Sequence, residues 1–437
     1  MTPDHLASTM ALNETTKPFE VAIIGGGIAG IILAISLLKR NIPCVIYEKA
    51  HTLREVGAGL GVSPNAQRAM AVCDPRVYSA FKMVANGNMW ESKKNIVFEF
   101  LDGMDATADA TPLFNIKNST GLQGCHRGQF ANALFQLLPS GVTRFNKQLE
   151  NIEDNNGARL RLFFKDGTVA EADAVIGCDG IKSKTREILV GQSNPEANCS
   201  YTHKYAYRGM VPMDQAAEVL GEERALNATI WVGKGMHLLT YPVAHGTILN
   251  VVAYCSSPGD WPSETDLTLP AQKHDFLDDF RGFRPSILKI IDSVRNLDRW
   301  GIFDLGDDPV STFVKGRMCI IGDAAHASSP HHGAGAALCI EDAAVLASLL
   351  AHEKVHTGTG IKAALAAFDK SRRERAQWVV QKSRRGGDLY ELQTEIGNDF
   401  EKIALELKET LAVIWEFSIE DAIEGALVDL KERLSVN

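Results

Sequence analysis

The chain has no pair of cysteines at C-x-x-C spacing, although it contains eight cysteines in 437 residues. Three of them, Cys44, Cys178 and Cys319, stand inside apolar runs and are interpreted as small core residues. This distribution of cysteines predicts a reducing compartment and argues against a dithiol redox centre. The His and Cys residues also lack the spacing of metal ligands, so we expect no metal site.

Long apolar runs and an excess of positive charge are also missing. No uninterrupted apolar run is long enough to cross a bilayer. The formal net charge of -9 argues against nucleic acid or an anionic membrane as a partner. Residues 1–18 are polar and lack the apolar core of a secretory leader, so we expect a flexible tail and a cytoplasmic protein.

The first informative segment is a glycine-rich stretch that follows a short apolar run, residues 21–24. Glycines at the G-x-G-x-x-G spacing are Gly25, Gly27 and Gly30. Residues 31–38 are predicted to form a helix, and a second strand at residues 44–47 ends in Glu48. The glycines suit a tight turn against a pyrophosphate, and Glu48 suits the hydroxyls of an adenosine ribose. The alternative is a glycine-rich turn without a ligand, and this segment alone does not separate FAD from NAD.

A late segment favours a flavin. An apolar strand at residues 318–321 ends at Gly322 and Asp323, where a carboxylate can reach the ribityl chain of a flavin. A loop follows, and then a helix that extends to about Leu350. The N-terminus of that helix would stabilise the negative charge of a reduced flavin. The alternative is an ordinary crossover with a rigid glycine-rich loop.

A middle segment has the same form. Residues 174–177 are predicted to form a buried strand that leads to Asp179 and Gly180, and a helix is expected from about Ser183. Alone, this segment could be a turn. The three segments together, in this order, indicate a bound FAD.

On these residues the chain resembles the single-component (group A) FAD-dependent aromatic hydroxylases of the para-hydroxybenzoate hydroxylase fold. Residues 25–30, 179–180 and 322–323 match the three fingerprints of that family, and the similarity covers most of residues 20–385. Within the family, the chain is most similar to fungal salicylate-hydroxylase-like enzymes and to the phenol-dearomatising monooxygenases of polyketide pathways, of the sorbicillin or resorcylic type. The stretches that carry this closer similarity are residues 54–59, 63–66, 125–127 and 330–336.

The resemblance assigns contacts with FAD to individual residues. The residues expected to bind the cofactor are Gly25, Gly27, Gly30, Glu48, Arg127, Asp179, Gly180, Gly322, Asp323, Gly333, Ala334, Gly335 and Ala336. The chain departs from the family at residues 333–335 and at Ala337, where most members have Gly-Gln-Gly followed by Asn. We therefore expect the flavin-ring pocket to differ in detail from that of the better-known members.

The predicted fold class is α/β, with a discontinuous Rossmann-like FAD-binding domain, an inserted and mostly antiparallel β-sheet substrate domain, and C-terminal helices. The proposed boundaries are residues 1–18 for the tail, 19–90, 121–190 and 306–385 for the FAD-binding domain, 91–120 and 191–305 for the substrate domain, and 386–437 for the C-terminal helical segment. These last helices either pack on the body or form a dimer surface, so a monomer or a homodimer is expected. The arginines between residues 365 and 385 are interpreted as a solvated helical face with ion pairs.

A FAD enzyme without a redox cysteine pair either oxidises its substrate directly or activates oxygen, and the resemblance implies oxygen activation. In that family NADPH or NADH reduces the flavin, O2 forms a flavin C4a-hydroperoxide, and its distal oxygen hydroxylates a phenol that reacts best as the phenolate. The narrower expectation is oxidative dearomatisation of an alkylated phenol ketone or aldehyde in fungal secondary metabolism. The nearest alternative is a decarboxylating salicylate 1-hydroxylase; a simple flavin oxidase or dehydrogenase and a non-catalytic FAD-binding protein are alternatives from other classes.

Four residues are candidates for handling the substrate. In the predicted strand at residues 204–211, alternation places Arg208 on a face with small and apolar side chains. The resemblance implies that Arg208 stabilises the phenolate and that Tyr241 orients the substrate; the alternatives are a surface salt bridge and a core tyrosine. His331 and His332 stand beside the expected flavin edge, where one of them positions substrate or relays a proton, unless both have a structural role in the loop.

Overall fold

The computed structural model describes residues 16–52, 59–106, 111–154 and 159–436. Its strands, in chain order, are β1 (Val21–Ile24), β2 (Cys44–Tyr47), β3 (Gly59–Gly61), β4 (Ile96–Asp102), β5 (Phe114–Lys117), β6 (Gly124–His126), β7 (Thr143–Arg144), β8 (Leu149–Glu153), β9 (Leu160–Phe164), β10 (Val169–Ala172), β11 (Ala174–Gly177), β12 (Ser200–Pro212), β13 (Thr229–Gly233), β14 (Met236–Val243), β15 (Ile248–Ser256), β16 (Thr268–Pro270), β17 (Arg295–Asp304), β18 (Val314–Lys315) and β19 (Met318–Ile320).

Its α-helices, in chain order, are α1 (Ile28–Lys39), α2 (Pro64–Cys73), α3 (Pro75–Val84), α4 (Arg127–Phe135), α5 (Lys184–Val190), α6 (Met213–Leu220), α7 (Glu222–Ala225), α8 (Lys273–Asp279), α9 (Pro285–Ser293), α10 (Asp323–His326), α11 (Gly335–Ala351), α12 (Gly358–Tyr390), α13 (Phe400–Trp415) and α14 (Ile419–Val436). None of the helices in the described ranges combines the length and apolar character needed to cross a membrane.

A six-stranded sheet lies at the centre of the fold, with the strand order β18-β19-β11-β1-β2-β7. The pairs β1–β2, β1–β11 and β11–β19 are parallel. Every residue of β1 is buried, as expected for a parallel strand covered on both faces. The carboxyl ends of β1, β11 and β19 therefore lie at one edge of the sheet, and the three predicted segments meet there.

An eight-stranded sheet forms the second layer, with the order β16-β17-β12-β15-β14-β13-β4-β5. Its pairings are antiparallel except for β13–β4. One face packs on an apolar cluster that includes residues of α6, α8 and α9, such as Phe276 and Ile287. The other face is turned toward the six-stranded sheet and carries Arg208 and Tyr241. The predicted α/β class with an antiparallel second sheet is confirmed.

The C-terminal helices pack on the body of the molecule. α12 runs without interruption to Tyr390, so the boundary predicted between residues 385 and 386 lies inside a helix. α14 packs against α11 and α12, and α13 contacts α2, α12 and β5. At the end of α13, Arg68 and Arg375 donate to the carbonyl groups of Trp415 and Ile414. Basic side chains there stabilise the C-terminal end of the helix dipole.

The solvated face that we predicted for the arginines of α12 is wrong for three of them, whereas Arg373 is partly exposed and forms the predicted kind of helical ion pair, with Asp369 at 3.2 Å. Arg372 is fully buried and donates to Glu341 Oε2 at 2.6 Å and to Asp342 Oδ1 at 2.9 Å. Arg375 also pairs with Glu341, and Arg384 pairs with buried residue Asp304. Since Glu341 and Asp342 belong to α11, this buried charge cluster ties α12 to α11.

Candidate active site

The glycine-rich segment forms a tight turn between β1 and α1. Gly25 has a φ of +104°, and a Cβ atom there would lie 2.5 Å from the Cys178 carbonyl oxygen. At Gly30 a Cβ atom would lie 2.0 Å from the Gly25 carbonyl oxygen, so both positions require glycine. Gly27, by contrast, has open space at its Cβ position and lines a cavity. The turn therefore leaves a cradle at the N-terminus of α1 that suits a pyrophosphate.

Glu48 lies at the end of β2 and reaches the same turn. Its Oε2 accepts a hydrogen bond from the Gly26 amide at 2.6 Å, and its Oε1 accepts one from the Ala50 amide at 2.8 Å. Each carboxylate oxygen keeps a further lone pair. The position is therefore compatible with the ribose contact that we predicted.

Asp323 follows β19 and lines the cavity as an exposed carboxylate. The turn before it is held by Asp342 of α11, which accepts hydrogen bonds from the Gly322 amide at 3.1 Å, from His326 Nε2 at 2.6 Å and from Arg372 Nε at 2.9 Å. Burial would raise the pKa of Asp342, but His326 and Arg372 lower it to about 2. A buried acid that stays charged thus fixes the turn that presents Asp323. Asp342 was not among the predicted site residues.

Asp179 has a different place from the other predicted FAD ligands. Its carboxylate accepts hydrogen bonds from Ser183 Oγ at 2.5 Å and from the Thr185 amide at 2.9 Å, at the start of α5. The neighbouring residues Cys178 and Gly180 line the cavity, whereas Asp179 does not. These contacts favour a role in shaping the loop over direct contact with a cofactor.

A cavity of about 530 Å³ runs from the glycine turn to the inner face of the eight-stranded sheet. The N-termini of α4 and α11 open on it, where helix dipoles stabilise phosphates or a reduced flavin. The predicted FAD ligands that line it are Gly27, Arg127, Gly180, Asp323, Gly333, Gly335 and Ala336. The remaining ones, Gly25, Gly30, Glu48, Asp179, Gly322 and Ala334, shape or flank the same turns. The open cradle at Gly27, the helix N-termini and the exposed carboxylate of Asp323 after β19 fit the parts of FAD.

Arg208 lies at the inner face of the eight-stranded sheet. Its guanidinium stacks over the Trp300 ring at 4.3 Å, and its Nε is buried without a hydrogen-bond partner. Within the described ranges Arg208 forms no salt bridge with an acid. Tyr241 and Tyr254 line the cavity beside it; burial raises the pKa of both hydroxyl groups, and the charge of Arg208 opposes that rise. The cavity thus contains a cation that has no acid partner among the residues that the structure describes.

The two histidines of the late loop face different neighbours. His331 Nδ1 lies 3.1 Å from Ser329 Oγ, and its ring lies beside that of Tyr254 with 5.0 Å between centroids. The His332 ring packs instead on α12 at Gly386, and burial lowers the pKa of His332 to about 4. Both side chains line the cavity. We predicted both histidines beside the flavin edge, but the sequence does not distinguish their surroundings.

A buried polar group that sequence analysis missed lies next to His331. His237 Nδ1 is 3.2 Å from Glu391 Oε1, while Ser256 Oγ donates to Glu391 Oε2 at 2.8 Å and Lys204 Nζ bonds the same oxygen. His237, His331 and Glu391 each place one ligand atom within 4.8 Å of the others, a spacing that a metal ion can use. Because both oxygens of Glu391 already have hydrogen-bond partners in Lys204, Ser256 and His237, we assign no metal to this group.

The C-terminal segment also contributes to the cavity. Leu411 and Trp415 of α13 are lining residues, although the sequence predicted only that these helices pack on the body or on a second copy. The predicted stretch at residues 54–59 lies outside the described residues, apart from Gly59. That residue begins β3, which pairs with β6 and brings the segment before α4 to the cavity.

The glycine turn, the carboxylate of Asp323 after β19 and the antiparallel sheet over the cavity define the class as a FAD-binding hydroxylase. Comparisons with known proteins agree. A family model described as "FAD binding domain" matches residues 136–383. The FAD-dependent monooxygenase pigN of Monascus ruber is 46% identical over 429 residues, with 95% of this chain and 97% of the relative covered. The salicylate hydroxylase asL1 of Sarocladium schorii is 41% identical over 394 residues, with 86% and 82% covered.

A solved structure agrees with these relatives. A salicylate hydroxylase in complex with its substrate superimposes with a TM-score of 0.84 and 30% identity, and the match covers 94% of this chain and 98% of that one. The chain therefore belongs to the FAD-dependent monooxygenases of the aromatic hydroxylase family, and FAD is its cofactor.

Proposed function

We propose that this monooxygenase uses NADPH or NADH and O2 to hydroxylate a phenol that it binds as the phenolate, and that the product is a dearomatised dienone. The observation that carries the proposal is Arg208, a cation that lines the cavity and forms no salt bridge with any acid in the described ranges. Since its Nε is buried without a partner, and charges interact more strongly away from bulk water, this cation favours an anionic ligand.

When bound, FAD would accept electrons from the nicotinamide cofactor and activate oxygen. The protein's part is to hold an electron-rich ring at the right place. Arg208 stabilises the phenolate, and its stacking on Trp300 fixes the direction of the guanidinium. Tyr241 and Tyr254 stay protonated, since burial raises the pKa of both. Each can therefore donate a hydrogen bond to an oxygen of the substrate.

The cavity also bears on the choice between dearomatisation and decarboxylation. Of the lining residues in the described ranges, Arg208 is the one Arg or Lys on the eight-stranded sheet, and Arg127 lies on the FAD side at the start of α4. A salicylate ionised at both groups would bring two negative charges to a site with one such cation. Apolar residues Val97, Leu239 and Val252 line the same region and suit an alkyl substituent. These features favour an alkylated phenol ketone or aldehyde.

Decarboxylating hydroxylation of salicylate is the second candidate. It is supported by the relative named salicylate hydroxylase and by the salicylate hydroxylase structure. If it holds, Arg208 would bind the carboxylate, and the phenol would depend on the tyrosines.

The variant Arg208→Ala tests the phenolate site. We expect full occupancy by FAD but hydroxylation slower by about 10²–10³-fold, as for the loss of one stabilising group at a developing charge. NADPH oxidation would continue and yield hydrogen peroxide. Arg299→Ala is the matched control, because Arg299 lies on the same sheet, pairs in register with Tyr207 and does not line the cavity. Wild-type hydroxylation by Arg208→Ala would remove Arg208 from the mechanism.

A further inference from the structure

We propose that His237, oriented by Glu391, accepts the proton that the phenol loses when it becomes a phenolate beside Arg208. This inference rests on the proposed function and adds a catalytic base to it. Stabilising a phenolate leaves a proton that needs an acceptor, and a positioned side chain accepts it more efficiently than water does.

His237 lies on the same sheet face as the proposed phenolate site. On β14 the residues His237, Leu239 and Tyr241 alternate toward the cavity, and all three line it. The His237 ring stacks on the Tyr254 ring with 4.5 Å between centroids and an interplanar angle of 13°. Tyr254 is in turn next to Arg208, whose charge acts on its hydroxyl.

Glu391 fixes which nitrogen of His237 can accept a proton. Glu391 is fully buried, and burial would raise its pKa, but His237 and Lys204 lower the pKa to about 2. The carboxylate is therefore ionised and can only accept, so His237 Nδ1, at 3.2 Å, must donate. In the neutral imidazole Nε2 then carries the lone pair. This is the arrangement of an imidazole that a carboxylate prepares for general-base work.

The neighbours of Glu391 keep that carboxylate charged and in place. Lys204 and Ser256 bind its second oxygen, and Lys204 Nζ also lies 3.0 Å from Asp388 Oδ1. Because Lys204 is shared between the carboxylates of Asp388 and Glu391, the group keeps a negative charge that can stabilise an imidazolium, and neutral His237 is free to change its charge. These residues come from β12, β15 and the end of α12, so the group forms only in the assembled fold.

The proton transfer conserves charge within the cavity. The phenol O–H bond breaks, its electron pair stays on the oxygen, and a new N–H bond forms at His237 Nε2. The imidazolium is stabilised by Glu391 and the phenolate by Arg208. No oxidant or reductant takes part.

His331 meets fewer of these requirements, although its Nε2 is buried without a partner. Its Nδ1 contacts the hydroxyl of Ser329, which can donate or accept and therefore does not fix a tautomer. Its ring lies 5.5 Å from that of His237. Burial lowers the pKa of both imidazoles, but at His237 the hydrogen bond to Glu391 opposes the fall, whereas the pKa of His331 lies well below the ordinary range. No carboxylate hydrogen bonds to it within the described ranges to stabilise a positive charge.

The test uses FAD-loaded enzyme and the probe 2,4-dihydroxy-3-methylacetophenone. The ultraviolet spectrum of the bound probe, recorded against pH, gives the midpoint at which it becomes a phenolate, and product analysis gives the hydroxylation rate. For His237→Gln we expect the midpoint to rise by about one pH unit or more and hydroxylation to fall by about 10²-fold. Glu391→Gln keeps an acceptor for Nδ1–H but loses the negative charge, so we expect a smaller rise and a smaller loss.

The control is His203→Gln, an exposed histidine of β12 on the same sheet. Several other polar groups also face the His237 ring and influence the midpoint, namely Glu391, Lys204, His331, Tyr254 and Tyr390. The effect of His237 is therefore taken from the difference in midpoint between variants. If His237→Gln loses FAD, Glu391→Gln provides the same comparison. A wild-type midpoint and rate in both variants would overturn the proposal. Failure of the wild-type enzyme to hydroxylate any phenol would instead contradict the proposed function.

Discussion

Replacing Gly387 by alanine separates the packing of His331 from the stability of helix α12. A Cβ atom at Gly387 would lie 2.7–2.8 Å from three atoms of the His331 ring, closer than any ordinary contact. Alanine is favoured over glycine inside a helix by about 1 kcal/mol, whereas overpacking costs about 1–3 kcal/mol. We therefore expect Gly387→Ala to gain no stability and to displace the His331 ring from its place beside Tyr254.

Gly425→Ala is the matched control, because Gly425 lies in helix α14 with no atom within 4 Å of its Cβ position. This variant should gain about 1 kcal/mol, so the difference between the two variants reports the overpacking alone. Urea unfolding measures that difference, and the ratio of product formed to NADPH consumed measures the disturbance of the site. If Gly387→Ala gained as much stability as Gly425→Ala and kept wild-type coupling, the described packing of His331 on α12 would be refuted.

Two further changes test the cofactor loop. Asp323→Ala should lower the occupancy by FAD, since the carboxylate at the end of β19 is lost, and a variant purified with one FAD per chain would contradict that role. The pKa of His332 is lowered to about 4, so the unfolded chain takes up a proton first as the pH falls. The contribution of this residue to stability is therefore complete above pH 6.5 and is lost as the pH falls toward 4, by about 3 kcal/mol. His332→Gln should remove that part of the pH dependence in urea unfolding between pH 7 and 4.5, and an unchanged pH dependence would count against it.

The cofactor segments could be predicted from the sequence because each is local. A buried strand, a turn of glycine or aspartate and a helix follow one another within a few residues, as at Gly25 and Asp323. The parallel sheet then brings the strand ends to one edge, which is a general property of such folds. Arg208 could be placed on an inward face for a similar reason, since alternation along a strand is also local.

The buried ion pairs could not be predicted in the same way. Arg372 appears in a basic stretch that is typical of a solvated helix, and it is buried only because α11 and α12 pack together. A usable signal was present in α11, where Glu341 and Asp342 interrupt an otherwise apolar helix, since buried acids need partners. His237 and Glu391 are 154 positions apart, and no local pattern joins them.

The most direct test of the central claim is the mass and ultraviolet spectrum of the product when the enzyme receives FAD, NADPH and O2 with salicylate and 2,4-dihydroxy-3-methylacetophenone in competition. The account predicts that the ketone gains one oxygen atom and loses its aromatic absorption band, while salicylate is left unchanged. Gain of one oxygen with loss of carbon dioxide from salicylate would contradict it and would make Arg208 a carboxylate partner.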